Sequence, residues 1–382
     1  MKRILIGMVC LAMGCMAFAA DGRIPVYQPG TVIAMPGSYY LTEDLVGPSP
    51  AVTIDADNVT LDLNGHYVSG DITLFGGAVP HYNIRITNGH IMNGNVDLMS
   101  MGNRVYVDHL SLNAGEILAQ GVNELVVEHC TCLSIRAGNC FSGRIAHNLV
   151  TNSEASGGIW LQMQTTNFQV IYNNSRNHSG GHGIFLMFDC NNNIVSHNMV
   201  SENGMNGINL EFSHNNEISW NDSSGNTGHG IFLLDSGNNQ VIHNTVSQND
   251  SDGTVTPASD GIRVESPGGG MADGNDVRYN TCSFNESHGI SLWFLNNYHL
   301  EHNTCQRNKV DGFSFNGAGN GAIDWNTANN NGGWGFNWDP ASLGNAYSHN
   351  RARANTSGAY NDPGGNQPIC YDGAACTAPT NY

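Results

Sequence analysis

Apolar and polar residues alternate along this chain only in short bursts of three or four positions, and the bursts recur at a fixed interval. A Gly-apolar-x-apolar unit begins at Gly158, Gly183, Gly207, Gly230, Gly261, Gly289, Gly312 and Gly335, with spacings centred on 23 residues. Eleven residues after most of these glycines comes a position that reads as inward and apolar: Ile194, Ile218, Val241, Leu300 and Ile323. An Asn follows three or four residues later, giving the column Asn198, Asn221, Asn244, Asn280, Asn303, Asn326, Asn350. Five residues on, a second column runs Asn203, Asn226, Asn249, Asn285, Asn308, Asn331, Asn355. Each repeat therefore predicts three short strands separated by turns.

A strand that short cannot close a core alone, so each repeat must stack on the next to bury its apolar face. Asn suits the corners because it tolerates left-handed backbone geometry, and equivalent amides can hydrogen-bond up the stack. Less regular coils extend upstream through Val59, Ile84, Val105, Leu125, Ile145 and Val170. The pattern predicts an all-β solenoid of about 13 coils, roughly 60 Å long. An open stack exposes strand edges at both ends, and residues 20–50 are expected to form an N-terminal cap, with 51–355 as the solenoid and 356–382 as a tail.

Composition sharpens this picture by exclusion. Of 382 residues only 12% are charged and 47 are Gly, which argues against a helical bundle, while 40% are apolar, enough to bury a long core. The formal charge is -18, an unpromising surface for a nucleic acid backbone. Residues 1–19, with Lys2-Arg3, the apolar run Ile4 to Met13 and Ala17-Phe18-Ala19, have the three parts of a secretory signal peptide. Cleavage after Ala19 would leave a chain near -20 in a secreted or periplasmic setting; Leu11 to Cys15 partly resembles a lipoprotein site, with Ala12 where such sites carry Leu. No later stretch is long and apolar enough to span a bilayer as a helix, and a monomer is expected. Among the cysteines, Cys370 and Cys376 are placed to bridge the tail, Cys282 and Cys305 read as stacked core thiols beside Val246 and Ala328, and Cys130, Cys132, Cys140 and Cys190 lack zinc spacing.

The opening Pro36-Gly37-Ser38-Tyr39-Tyr40-Leu41-Thr42, the segment Asn58 to His66 and the recurring Gly-Ile and Asn-x-x-x-x-Asn units resemble bacterial right-handed parallel β-helix repeat proteins. The resemblance covers nearly the whole chain past the leader. It implies a pectate-lyase-like, single-stranded right-handed parallel β-helix. That superfamily includes secreted polysaccharide lyases, hydrolases and epimerases, and also members of no known activity, so the fold leaves function open.

Two features narrow the search for chemistry. Insertions at Asp250 to Ser259 and Ser266 to Asp276 flank the strand Asp260 to Glu265, and long loops on a rigid scaffold are where function concentrates. The residue before each repeat Gly forms the titratable column His182, Asn206, His229, Asp260, His288, Asp311, Trp334. Asp260-Gly261-Ile262 and Ser287 to Ser291 resemble in part the Asp-Gly-Ile and Gly-His-Gly-Ile-Ser elements of polygalacturonase-type glycoside hydrolases, though no adjacent Asp pair and no downstream Arg-x-Lys accompany them.

Three uses of the column follow. In hydrolysis Asp260 and Asp311, two coils apart and about 10 Å between backbones, act as acid and base around a water, with one carboxyl raised by burial and by Glu265. In β-elimination Arg263 or a bound cation neutralises a uronate carboxylate while His288 or His229 removes the adjacent proton. In the third the histidines are only turn residues and the rod is a non-catalytic binding or adhesion module. His182, Glu265, Phe232 and Trp293 are the expected polysaccharide contacts, with Trp160 and Phe185 on the same face. Glu211, Asp235 and Glu265 are candidate calcium ligands.

Overall fold

The computed structural model describes residues 22–75, 80–99, 102–154, 157–250, 259–363 and 366–368. The leader, Cys15, residues 251–258 of the first insertion and the Cys370–Cys376 pair lie outside the described residues. Every regular element described is a β-strand, from Ile24–Val26 to Gln367–Pro368, and most are three to five residues long. No helix is long and apolar enough to cross a membrane.

Each strand pairs in parallel with the equivalent strand one turn further on. The inward positions show this as a register: Val195 faces Ile218, then Val241, Val277, Leu300 and Ile323 in succession. One sheet of 15 strands forms one side of the rod, and a second sheet of 28 strands supplies the rest of the coil. With one strand of the smaller sheet per turn, the protein has about 14 stacked turns rather than 13. The difference arises at the ends. Residues 24–46 contribute four strands that pair in parallel with the next coil, and Gly358–Asn361 closes the other end of the smaller sheet.

The core is a single continuous column of side chains. Val59, Ile84, Val105, Leu125, Ile145 and Val170 are all fully buried, as are Ile218, Val241, Leu300 and Ile323. Ile194 is not: it is 37% exposed, and Val195 takes the inward place. That coil is one residue longer, so counting from its Gly lands on the outward neighbour. Val246, Cys282, Cys305 and Ala328 stack in register and are fully buried, both thiols free.

Both Asn columns are ladders. Asn198 Nδ2 donates to Asn221 Oδ1 at 3.0 Å, the Asn198 backbone N–H donates to the same oxygen at 3.0 Å, and Nδ2 also donates to the Val170 carbonyl at 2.8 Å. Each amide thus ties three coils, and the ladder extends upstream to Asn148 and Asn173. A third column, Asn193, Asn216, Asn239 and Asn275, accepts backbone N–H groups at another corner. Buried amides with every donor engaged contribute about 1 kcal/mol net per bond and would be expensive to leave unpaired.

The repeat glycines mark where coils come closest. A Cβ on Gly261 would lie 2.6 Å from the Gly289 carbonyl oxygen and 2.7 Å from Asn285 Nδ2. A side chain there would push successive turns apart. The residue before each Gly is therefore held at a fixed height over its counterpart in the next coil.

Candidate functional site

That fixed height builds the site. In the column before the glycines, the side chain of each residue accepts a hydrogen bond from the backbone N–H of the residue one coil further on. Asn206 N–H donates to His182 Nδ1, His229 N–H to Asn206 Oδ1, and Asp260 N–H to His229 Nδ1. His288 N–H then donates to Asp260 Oδ1 at 3.0 Å, Asp311 N–H to His288 Nδ1 at 3.2 Å, and Trp334 N–H to Asp311 Oδ1 at 2.6 Å. Asn, Asp and His each place an acceptor at that reach. Trp334 has no such acceptor and the run stops there.

The structure brings Asp260, His229, His288, Asp311, Arg263, Glu265 and Trp293 together on consecutive coils. Asp260 is 1% exposed. Its Oδ2 accepts from the Ser291 hydroxyl at 2.5 Å and lies 3.6 Å from Arg263 Nη1 and 3.8 Å from His229 Nδ1. Arg263 donates from Nε and Nη2 to Glu265 Oε2, each at 2.9 Å, and its guanidinium lies 4.1 Å from the centre of the Trp293 ring. Phe232 packs against His229 and Phe185 against His182. Trp160, Phe185 and Phe232 share one outward file, broken by Asn209, while Trp293 stands in the neighbouring file beside Glu265.

Protonation differs along the column. Burial lowers His182 and His229 to about 4, so both rings are neutral near pH 7, and acceptance at Nδ1 puts their proton on Nε2. His288 goes the other way: burial opposes its charge, but hydrogen bonding to Asp311 and the charges of Asp260 and Asp311 outweigh that and raise it. Its Nδ1 lies 3.2 Å from the Asp311 nitrogen and 3.4 Å from Asp311 Oδ2. One nitrogen cannot accept from the first and donate to the second at once, so the ring either keeps the backbone bond with its proton on Nε2 or turns an Nδ1–H to the carboxylate.

These contacts set the surroundings of the two carboxylates expected to act as an inverting pair. Burial pushes Asp260 toward protonation, but the neighbouring histidines and the bonds from Ser291 and the His288 backbone prevail, and the net direction is downward. Asp311 is 2% exposed and its Oδ2 accepts from Asn337 Nδ2 at 2.8 Å. Both carboxylates thus have both oxygens engaged within the fold, and the His288 coil lies between them. They flank His288, one on the coil before it and one on the coil after.

The calcium set is corrected. Glu211 and Glu265 share a file, but Leu234 stands between them. Glu211 accepts from Asn209, Asp235 accepts from the Ser266 hydroxyl, and Glu265 is held by Arg263. Among the described residues no group of three or more His, Cys, Asp or Glu side chains is placed to hold a metal ion. The second insertion folds back on the corner beyond Glu265, where Asp273 accepts from the Asn296 backbone and its own carbonyl accepts from Asn238.

Sequence reasoning passed over a second column of rings. It comprises His109, His129, His147, Tyr172, His197, Trp220, His243, Tyr279, His302, Trp325 and His349, stacked one per coil with centroids 4.1 to 6.1 Å apart. From His147 onward each ring directly precedes an Asn of the first ladder, a signal that was readable.

Comparison with known proteins gives the same architecture. The mannuronan C-5 epimerase AlgE6 A-module of Azotobacter vinelandii superposes with a TM-score of 0.55 at 15% identity, over 85% of this chain and 91% of that one. The chain has the right-handed parallel β-helix fold. A double mutant of the periplasmic alginate epimerase AlgG (TM-score 0.48, 15% identity, 87% of this chain and 84% of that one) and the Dettilon tailspike protein (0.44, 15%, 85% and 61%) are also similar. The family described as periplasmic copper-binding protein (NosD) matches residues 83–266. No curated protein matches the chain.

Copper does not fit the described residues as a resident metal. Burial pushes the thiols of Cys130, Cys140 and Cys190 up to about 12, 11 and 11, away from the ligating thiolate. The outer imidazoles stack nearly parallel, as in His129 on His147 with 6° between planes. Their in-plane lone pairs therefore lie in separate parallel layers.

Proposed function

We propose that the protein works outside the cytoplasm as a polysaccharide-engaging β-helix, and that the polymer lies along the outward face of the smaller sheet beside Arg263, Trp293 and His288. The observation that carries this is His288. It is the one imidazole of its column drawn toward protonation, it stands between two buried carboxylates, and its coil-to-coil bond uses Nδ1 and leaves Nε2 free of that duty.

The chemistry that suits such a group is proton transfer at the carbon next to a uronate carboxylate. Glu265 occupies the place on Arg263 that a substrate carboxylate would take, and exchange of one for the other would leave the buried guanidinium paired. With Nδ1–H turned to the Asp311 carboxylate, His288 would take the proton at Nε2, Asp311 and Asp260 would hold the imidazolium, and Trp293 would line the approach. Departure of the glycosidic oxygen, protonated by the His288 imidazolium, then gives elimination, and protonation of the same carbon from the opposite face by a solvent water gives epimerisation. Both agree with the kind of polymer named for the mannuronan and alginate epimerases that share the fold.

One observation favours a non-catalytic module as the second reading. Asn206 makes the same coil-to-coil bond as His229 and Asp260, so the fold alone accounts for the column. A panel of uronate polymers separates the two: unsaturated product absorbance or a changed C-5 configuration, abolished in His288→Gln with folding intact, supports the chemistry. Binding without product, equal in wild type and variant, supports the module.

A further inference from the structure

The outer ring column sits at a different corner of the coil and has no part in the chemistry proposed at His288. From His147 to His349 imidazole alternates strictly with Tyr or Trp. Every one of these rings is carried by a residue with φ between 51° and 58°, a conformation bulky residues seldom adopt. The fold does not require rings there, since Asn64 and Asn88 turn the same corner in the earlier coils. Burial does not require them either: Trp220 is 54% exposed and Trp325 51%.

Stacked face to face, the rings have no face left for a sugar or an apolar partner. They offer solvent a row of edges carrying imidazole and indole N–H and tyrosine O–H, repeating about every 4.8 Å over roughly 48 Å. The alternation places each internal imidazole between two aromatic faces. It also keeps successive imidazoles about 10 Å apart, near the screening length at 0.1 M salt. Charged and titratable groups beside this stretch are Arg144, Glu217, Asp276, Arg278, His299, Glu301 and Asp324 on one flank, with Asp276 holding both Arg278 and His299, and Asp222 and Arg351 on the other. Glu217 is held by Ser219, Asp324 by Ser348, and His302 Nε2 lies 3.7 Å from Glu301.

We propose that this ridge is a second binding track, for an extended acidic polysaccharide lying along the rod, and that its imidazoles supply the positive charge under mildly acidic conditions. Imidazole is the side chain suited to that range, and a row of donors at strand spacing matches a polymer with regularly repeated acceptors.

The test uses the full chain with an immobilised uronate oligosaccharide, at about pH 7.5 and about pH 5.5. Wild type should bind at least about tenfold tighter at the lower pH, and added salt should suppress the gain. A neutral oligosaccharide of equal length should show no gain. Combined His197→Gln, His243→Gln and His302→Gln should abolish the gain when measured in the His288→Gln background, where the site on the smaller sheet cannot supply it. Circular dichroism and Tm check the combined variant; if it unfolds, His243→Gln in that background should still reduce the gain measurably. Persistence of the gain in both ridge variants in that background would overturn the proposal, as would an equal gain for the neutral sugar. Acid-induced self-association abolished by the ridge variants would assign the ridge to a second copy of the chain and overturn the polysaccharide as its occupant.

Discussion

Two columns of histidines run up this rod, and they are put to opposite uses. In the column of His182, His229 and His288 each Nδ1 accepts the backbone N–H of the next coil and the ring is mostly covered. In the outer column the rings bond to one another through their faces and turn their edges to solvent. The same residue type on the same repeat is thus internal fastening at one corner and displayed surface at the other. What decides is whether the polar edge meets a backbone donor before it meets water. Within the covered column a second contrast follows: two carboxylates make His288 chargeable, while burial, aided by the Arg263 charge, outweighs Asp260 and leaves His229 neutral.

The largest effect should come from the covered side. Asp260→Ala would strand the Ser291 hydroxyl, the His288 N–H and part of the Arg263 charge in a buried place, and should lower unfolding free energy by about 3–5 kcal/mol in urea melts. Asp260→Asn, which keeps an acceptor, should lose much less.

The pH response comes next. His178, at the head of the second Asn ladder, is fully buried and lowered to about 4 by desolvation, like His182 and His229. The unfolded chain takes up protons near 6.5, where these folded rings do not. Their stabilising share is therefore intact above that pH and is lost as pH falls toward about 4, each by up to about 3 kcal/mol. His288 contributes with the opposite sign: its share is present in acid and lost as pH rises through its raised value. His178→Asn would continue the Asn ladder and should flatten the acid limb in melts between about pH 4 and 7.

Smaller again, Asn303→Ala removes bonds to Asn326 and Val277 and should cost about 1–3 kcal/mol by chemical denaturation. On the exposed side Trp220→Asn loses stacking but relieves a left-handed Trp, and its Tm should stay close to wild type, a shift within about 1 kcal/mol. A large loss there would mean that the ridge is fastening as well.

Much of the fold was legible because it repeats. The Gly column, both Asn ladders and the Cys282–Cys305 stack follow from spacing alone, since a solenoid converts sequence period into vertical contact. Ile194 shows the limit: a single extra residue in one coil shifts an inward count onto the outer face. For the site, spacing correctly put Asp260, His288 and Asp311 in one file but could not say which backbone N–H each side chain accepts. That bonding sets the two carboxylates on either side of His288. It also could not show that Glu265 is spent on Arg263, because residues two apart on one strand give no hint of which partner prevails. The ring column was visible in the sequence, one place before each Asn, and was missed because attention fell on the position before Gly.

The most direct measurement is the side-chain nitrogen NMR of His229 and His288 in the folded protein across about pH 4 to 8. The account predicts that His229 stays neutral with its proton on Nε2 until about 4, while His288 becomes cationic at a pH above that of an ordinary imidazole. If His229 took up its proton at the same pH as His288 or before it, the bonding that singles out His288 would be contradicted, and with it the site.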